Sequence, residues 1–378
     1  MNFACTQENL AQGLSLVAHV AGKNANLPIL SHVLLQTDGG NLRISATNLE
    51  MATSVLVRGK VDQPGEFTVP AKLFQDYIGL LGEGKVELAL KNDQLEIRAD
   101  GKTTNIKGLV ATEFPLIPRL AKDLSFRMEA EPLRHAISQV AFAVSVSDSR
   151  PELSGVACFF NTQGGKDSLV MAATDSYRLA ERQAHLATGA GSDVEKKCII
   201  PARAMQEIGR ILSGYKDEVG MPQFIEWSMT DSQLAVSFGN VELVSRLIEG
   251  SFPDYKQIIP KQFRTNCRVK RTELMKAIRA ASLFSRQGIY DVLFEMSTEG
   301  MLTVSSADTG TGAHTAKLHA VVEGESNKVT LNFKYMNDGL SIMETDFVVL
   351  HVIDAMNAVV VKPADKEGFQ YVVMPIRQ

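Results

Sequence analysis

A chain of 378 residues, 45% apolar and 22% charged, has the composition of an ordinary globular protein with room for two or three domains. Its net charge of −4 argues against a nucleic-acid binder of the usual basic kind, although a net value hides how charge is distributed. Four scattered cysteines without a C-x-x-C pair point to reduced thiols, the N-terminus lacks the features of a signal peptide, and no apolar run has the length of a membrane span, so a cytoplasmic protein is expected.

In chain order, the sequence opens on a strand and a helix in "MNFACTQENLAQGLSLVAHVA", where Leu10, Leu14 and Val17 recur on one helical face. Strand alternation follows, clean at Leu42, Ile44 and Ala46, and reaches a turn in "ISATNLEMATS". A strand then runs into a second helix in "EFTVPAKLFQDYIGLL", "QLEIRAD" alternates as a strand, and "EFPLIP" at 113–118 closes the segment. The order restarts with "LSFRMEAEPLRHAISQVAFAVS", whose face is Leu133, Ile137 and Val140. "AATDSYRLAER" repeats the turn, "KCIIPARAMQEIGRIL" the second helix, "QLAVSFG" the late strand and "SFPDYKQIIP" the Phe-Pro closure. A third round gives "NCRVKRTELMKAIRAASLFS" with Leu274, Ile278 and Ala281, then "VSSADTGTGAH", "KVTLNFKYMNDGLSIM", "NAVVVKP" and the terminal "YVVMPIRQ".

Pro70, Pro201 and Asn332 stand 131 residues apart at each step (201 − 70 and 332 − 201). Four residues on come Phe74, Met205 and Met336, and eleven on come Leu81, Leu212 and Met343, the spacing of one apolar helix face. Proline is tolerated at a helix start, and asparagine is a good N-cap. The period of roughly 115 to 140 residues is domain-sized, too long for a solenoid. The fold class predicted is α+β: three repeated domains, each with two helices packed on mainly antiparallel sheet, at 1–122, 123–263 and 264–378. The middle copy carries extra Gly-rich, charged loops in "ATGAGSDVEKK" and "SGYKDEVGMPQ".

No chemistry of the catalytic kind accompanies these repeats. Of seven histidines only His314 and His319 are close, and a spacing of five fits neither one helix face nor one strand face. "TGTG" at 309–312 lacks a following phosphate-loop pattern and reads as a turn. There is no G-x-S-x-G and no H-E-x-x-H. Asn48, Asp175 and Asp308 hold one repeated turn position, where such side chains bond their own backbone. No cofactor, no metal and no catalytic residue is expected.

Charge is patterned instead. Lys72, Arg203 and Lys334 recur two residues after the Pro/Pro/Asn anchor in all three copies. The first helices add Lys23 just beyond the first, Arg134 in the second, and Lys276 and Arg279 in the third. Asp76, Glu207 and Asp338 share these faces, so the excess is modest. One charged face is ordinary solvation; recurrence at one position in three copies points to a common cationic surface able to touch phosphates without reading sequence.

The segments "LPILSHVLL", "ATNLEM", "FTVPAK", "ATDSYRLA", "FPDYKQIIP" and "YVVMPIRQ", in this order over three repeats, closely resemble the bacterial sliding clamps, the beta subunits of DNA polymerase III. The resemblance runs end to end. It implies a head-to-tail homodimer closed into a six-domain ring, with about twelve helices lining a hole for duplex DNA. Such a ring is a processivity factor that slides on DNA without sequence preference. It also implies a pocket for short linear motifs of the DNA polymerase III catalytic subunit, clamp loader subunits, other polymerases and repair proteins. Carried onto this chain, the pocket positions are Leu153, Thr174, Ser176, Tyr177, Arg178, Leu179, Pro253, Ile258, Asn332, Tyr335, Val372, Val373, Met374, Pro375, Ile376 and Arg377. Apolar walls with a few oriented polar groups suit peptide capture, and core packing is the alternative for Leu153 and Val372.

Departures from the family pattern accompany the resemblance. Ser176-Tyr177 stands where Gly-His is usual, Gln257 replaces a basic residue, and Gln378 replaces a terminal Leu. The loop "SVSDSRPEL" matches a DNA-contact loop at Arg150, but Pro151 and Glu152 replace aromatics, and Asn24 stands at a usually basic position. Ring closure is expected between strand edges at Thr104 and Ile106 in the first domain and at Met301 and Thr303 in the third, with Leu283 and Phe284 beside them. Two other readings compete: a peptide-binding scaffold that does not encircle DNA, and an enzyme with its site between repeated domains. The missing catalytic constellation argues against the enzyme.

Overall fold

The structure is a computed structural model that describes residues 1–22, 26–118, 120, 124–147, 149–187, 194–214 and 223–377. The two extra loops read in the middle copy lie largely outside the described residues.

One element order occurs three times, with one additional strand, Lys60–Gln63, in the first domain. The first domain contains β1 (Asn2–Thr6), α1 (Gln7–Val17), β2 (His32–Asp38), β3 (Asn41–Thr47), β4 (Met51–Val57), β5 (Lys60–Gln63), β6 (Glu66–Pro70), α2 (Ala71–Gly79), β7 (Lys85–Lys91), β8 (Gln94–Ala99) and β9 (Lys102–Lys107). The middle domain contains β10 (Leu124–Glu129), α3 (Ala130–Val140), β11 (Gly155–Phe160), β12 (Ser168–Thr174), β13 (Arg178–His185), β14 (Lys196–Pro201), α4 (Ala202–Gly214), β15 (Phe224–Met229), β16 (Gln233–Phe238) and β17 (Val241–Arg246). The third contains β18 (Thr265–Lys270), α5 (Arg271–Ser282), β19 (Asp291–Ser297), β20 (Met301–Asp308), β21 (Gly312–Gly324), β22 (Asn327–Asn332), α6 (Phe333–Ser341), β23 (Phe347–Val352), β24 (Val359–Pro363) and β25 (Phe369–Val373).

The helices form where the sequence signals them. Thr6 caps α1 by accepting from the Asn9 amide at 3.3 Å. Pro70 precedes α2 with φ −55°, and Asn332 caps α6 through the Lys334 amide at 2.9 Å. The predicted faces Leu10/Leu14/Val17, Leu133/Ile137/Val140 and Leu274/Ile278/Ala281 are buried, as are Phe74, Met205 and Met336. Each fully buried large apolar side chain contributes roughly 1.5–3 kcal/mol. Leu81 and Met343 are buried too, but just beyond the ends of α2 and α6, whereas Leu212 lies inside the longer α4. Glu207 is a correction: it is buried, not on the solvent face, because Arg210 binds its carboxylate at 2.6 and 2.9 Å and His19 Nδ1 lies 3.1 Å away. Arg210 continues to the carbonyls of Ser15 and Leu16 at the end of α1.

Contacts divide the chain into two compact units. In the first, strands run β5-β1-β7-β8-β9 and β10-β15-β16-β17-β4-β3-β2-β6, so the first domain shares a sheet with the late strands of the middle one. In the second, the order is β14-β11-β12-β13-β25-β24-β23-β18-β21-β20-β19-β22, joining the middle domain's other sheet to the third domain. Every pairing among the described strands is antiparallel. Gly339 permits one close approach: a Cβ there would sit 2.3 Å from the Tyr371 ring, so the glycine lets β25 pack against α6.

Candidate functional site

The turn between β12 and β13 begins the site. Asp175 Oδ1 accepts from the amides of Tyr177 and Arg178, both at 2.9 Å, and Thr174 Oγ1 accepts from Ser176 N at 3.1 Å. Ser176 is thereby held at φ +78°, a conformation that favours glycine. The β3–β4 turn is the same object: Asn48 Oδ1 accepts from Glu50 and Met51, and Leu49 takes φ +76°. In the third copy Asp308 Oδ1 accepts from Gly310 and Thr311. The repeated turn read in the sequence is one backbone device used three times.

Only the middle copy builds on it. Asp175 Oδ2 takes Arg178 Nε at 3.0 Å, and the guanidinium reaches Asp338 Oδ2 on α6 at 2.5 Å and the Phe142 carbonyl at 3.1 Å. It lies 4.7 Å from the Tyr335 ring centroid and 5.4 Å from that of Phe142. A desolvated arginine needs this set of acceptors and ring faces. Burial raises the Tyr371 phenol above its ordinary value, so it stays protonated and donates to the Tyr335 carbonyl at 2.9 Å. Phe142, Asp338, Tyr371 and Tyr255 are site residues that the sequence reading missed. Asp338 carried a signal only as an acid on a helix face; Phe142 carried none.

The C-terminal segment runs beside this turn. β13 pairs with β25 from Arg178↔Val373 to Arg182↔Phe369, and the Met374 amide extends the ladder to the Tyr177 carbonyl at 2.9 Å. Ile376 N then bonds Thr330 O at 2.9 Å. Met374 packs on a buried cluster containing Leu179, Val372 and Tyr255. Tyr177 is 64% exposed and Ile258 is exposed, while Met374, Pro375 and Ile376 are half-buried. The ladder thus brings Met374 beside Tyr177 at the turn that holds Arg178 against the Tyr335 ring.

Other predicted groove positions do different work. Leu153, Leu179, Val372 and Val373 are buried core residues, Thr174 holds the turn, and Asn332 Oδ1 is used by the α6 cap. Pro253 lies in the segment leading to Tyr255, its carbonyl accepting from the Tyr255 amide at 2.8 Å. Ser176 and Arg377 are exposed, and Gln378 lies outside the described residues.

Of the two strands expected at sheet edges, one lies at an edge and the other does not. β9, with Thr104 and Ile106, ends its sheet and pairs with β8 alone among the described strands. Ile106 itself is buried, and Thr104 donates to Tyr77 Oη at 2.8 Å. Met301 and Thr303 are not on an edge: β20 is paired on both sides, with β19 and with β21. The open edge belongs to β21, whose Gly312–His319 stretch pairs with β20 on one side and with no described strand on the other. Beside it, Leu283 is 75% exposed, and the half-buried Phe284 stacks on His314 at 6.0 Å. Tyr77 of α2 meets β9 through its bond with Thr104, and in sequence it lies between two exposed leucines, Leu73 on α2 and Leu80 just past its end.

Of the predicted DNA-facing residues, Lys23 and Asn24 lie outside the described residues. Lys72, Arg203, Lys276, Arg279 and Lys334 are exposed, and Arg134 is half-buried. Lys72 Nζ lies 3.1 Å from Asp76, Lys334 Nζ lies 3.5 Å from the Tyr290 ring centroid, and Arg150 Nε donates to Glu152 at 3.0 Å. Among the described residues no group of three His, Cys, Asp or Glu side chains is placed to hold a metal, and no helix is long and apolar enough to cross a membrane.

Residues 1–118, 127–254 and 256–377 match, in turn, the N-terminal, central and C-terminal domains of the DNA polymerase III beta subunit. The beta sliding clamp of Synechocystis is 29% identical and that of Staphylococcus aureus 27%, each alignment covering all of this chain and 99% of the relative. The crystal structure of the Thermotoga maritima beta subunit covers all of this chain and 99% of its own, at 25% identity and a TM-score of 0.91. A Pseudomonas aeruginosa sliding clamp bound to griselimycin gives 26% identity and a TM-score of 0.92, with both chains fully covered. With three repeated domains in the family's order and its architecture over the whole length, the chain belongs to the DNA polymerase III beta subunits, the beta sliding clamps.

Proposed function

We propose that two copies of this chain close head to tail into a ring around duplex DNA, in the cytoplasm, and tether a polymerase through the groove beside β13 and β25. The role is processivity, not catalysis. The observation that carries the reading is a pairing rule within the repeats. The strand leaving the shared turn pairs with the last strand of the next copy: β4 with β17, from Met51↔Ser245 to Val55↔Val241, and β13 with β25. β21 leaves the third turn and β9 is the last strand of the first copy, and among the described strands neither β9 nor Gly312–His319 of β21 has a second partner. A second chain satisfies both at once, β9 of one copy against β21 of the other, at two equivalent joints. Leu73 and Leu80 flank Tyr77, which bonds Thr104 of β9, and Leu283 precedes Phe284, which stacks on His314 of β21, so the exposed leucines would supply apolar surface to the joint.

The three clamp domains are taken as 1–122, 123–263 and 264–378. The exposed Lys72, Arg203 and Lys334 supply sequence-independent phosphate contacts. The groove would take short linear motifs of the DNA polymerase III catalytic subunit, clamp loader subunits, other polymerases and repair proteins. The griselimycin complex of the Pseudomonas clamp supports a ligand site on this fold. A scaffold that never encloses DNA would leave the two open edges unexplained.

Topology gives the test. Protein loaded on a nicked circle is expected to remain bound through gel filtration and to be released when the circle is linearised. Equal retention on circle and linear DNA would refute the ring.

A further inference from the structure

We propose that Glu181 is the positioning residue of the groove: one buried carboxylate holds together the three chain segments that carry it. The inference rests on the groove being a peptide site. Glu181 lies on β13, three residues after Arg178, and is only 8% exposed. A carboxylate at that depth is tolerated only when its oxygens are fully used. Three donors use them. Tyr255 Oη donates to Oε2 at 2.5 Å, Lys256 Nζ lies 2.5 Å from the same oxygen, and Gln370 Nε2 donates to Oε1 at 2.8 Å.

The origins of these donors give the arrangement its meaning. Tyr255 and Lys256 begin the short helical turn Tyr255–Ile258, which places Ile258, with Pro253 just before it. Gln370 sits on β25, directly opposite Glu181, three residues before Val373, where the terminal segment leaves. Glu181 itself continues the strand that starts at Arg178. The strand that continues from 174–179, the 253–258 turn and the strand that leads into 372–377 therefore meet at one side chain. Burial and the neighbouring carboxylate raise the Tyr255 phenol, so it keeps the proton it donates. Its ring also packs 6.1 Å from Phe159 and 6.0 Å from Phe252. The turn carrying Ile258 is thus docked onto the sheet by one aromatic ring and one carboxylate.

The experiment compares the full-length chain with Glu181→Ala and Glu181→Gln, using griselimycin as the probe and hydrogen–deuterium exchange as the positional readout. Glu181→Ala is expected to weaken griselimycin about tenfold or more and to speed exchange over 252–260, with β11 and β12 unchanged. Glu181→Gln keeps the shape and two of the three hydrogen bonds, and should fall between. Glu207→Ala removes a buried carboxylate in the other compact unit. It should lower the melting temperature without moving either readout. If Glu181→Ala does not fold, Tyr255→Phe and Lys256→Met remove the donors singly and should each show a smaller version of the effect. Unchanged affinity with unchanged exchange at 252–260, or exchange rising equally in all strands, would overturn the proposal. If the unmodified protein does not bind griselimycin, the reading of the groove fails, and the exchange arm still decides whether Glu181 holds the turn.

Discussion

Asn48 and Asp175 show how far a single side chain can be read. Both accept two backbone N–H bonds in the same turn, and their type and position announce that role. The second oxygen of Asp175 also holds Arg178, whose other acceptor, Asp338, is 160 residues away. No spacing rule connects them. His351 is similar: the sequence shows a lone histidine, while the fold places its Nδ1 2.7 Å from Asn266 and its ring 4.9 Å from Phe263. Burial, reinforced by Lys362, pushes its pKa from 6.5 down to about 4. The folded state therefore keeps the neutral ring after the unfolded chain has taken up a proton. Stability from this group is complete above pH 6.5 and is lost as pH falls toward 4. His32, lowered by burial against the opposing pull of Glu113, acts in the same direction. Urea unfolding at pH 7 and pH 5 should differ by on the order of 1 kcal/mol after allowing for partial exposure. His351→Gln should flatten part of that slope; an identical slope would remove His351 as its source.

At the scale of elements, periodicity identified the helices and their faces because each face is set by local spacing. It also found β20 as a strand, but a strand's alternation does not say which neighbours it has. Alternation therefore points to Met301 and Thr303 for an open edge that belongs to Gly312–His319 of β21. What marks the true edge is a pairing pattern among three copies, visible only once β4–β17 and β13–β25 are seen together. The exposed Leu80 and Leu283, 81% and 75% accessible, make a direct test possible. Leu80→Asp and Leu283→Asp should each cost the folded chain within about 0.5 kcal/mol, since neither side chain is buried. Each places a charge in the proposed joint, and the expected outcome is a monomer in sedimentation velocity at micromolar concentration. A variant that sediments like the unmodified chain would place the joint elsewhere.

At the scale of the whole molecule, a net charge of −4 and a DNA partner are compatible if cations are concentrated where the repeat places them. Lys72, Arg203 and Lys334 occupy one position in three domains, and all three are exposed. They are not equally available. Lys72 is already close to Asp76, and Lys334 lies against the Tyr290 ring, so each must leave a local partner, or share it, to meet a phosphate. Exposed pairs of this kind hold by about 0.2–1 kcal/mol, little enough for a phosphate to compete. A ring needs no more, because enclosure and not affinity keeps it on DNA. The triple variant Lys72→Gln, Arg203→Gln, Lys334→Gln should fold normally and bind a short duplex more weakly, with a shallower salt dependence. Each lost phosphate contact lowers the slope of log K against log salt by about 0.9, so the three together lower it by up to about 3. Fluorescence anisotropy across a salt series measures this directly. A reduction near 1 would mean that one phosphate contact, not three, is made at these positions, and an unchanged slope would show that none of the three faces the duplex.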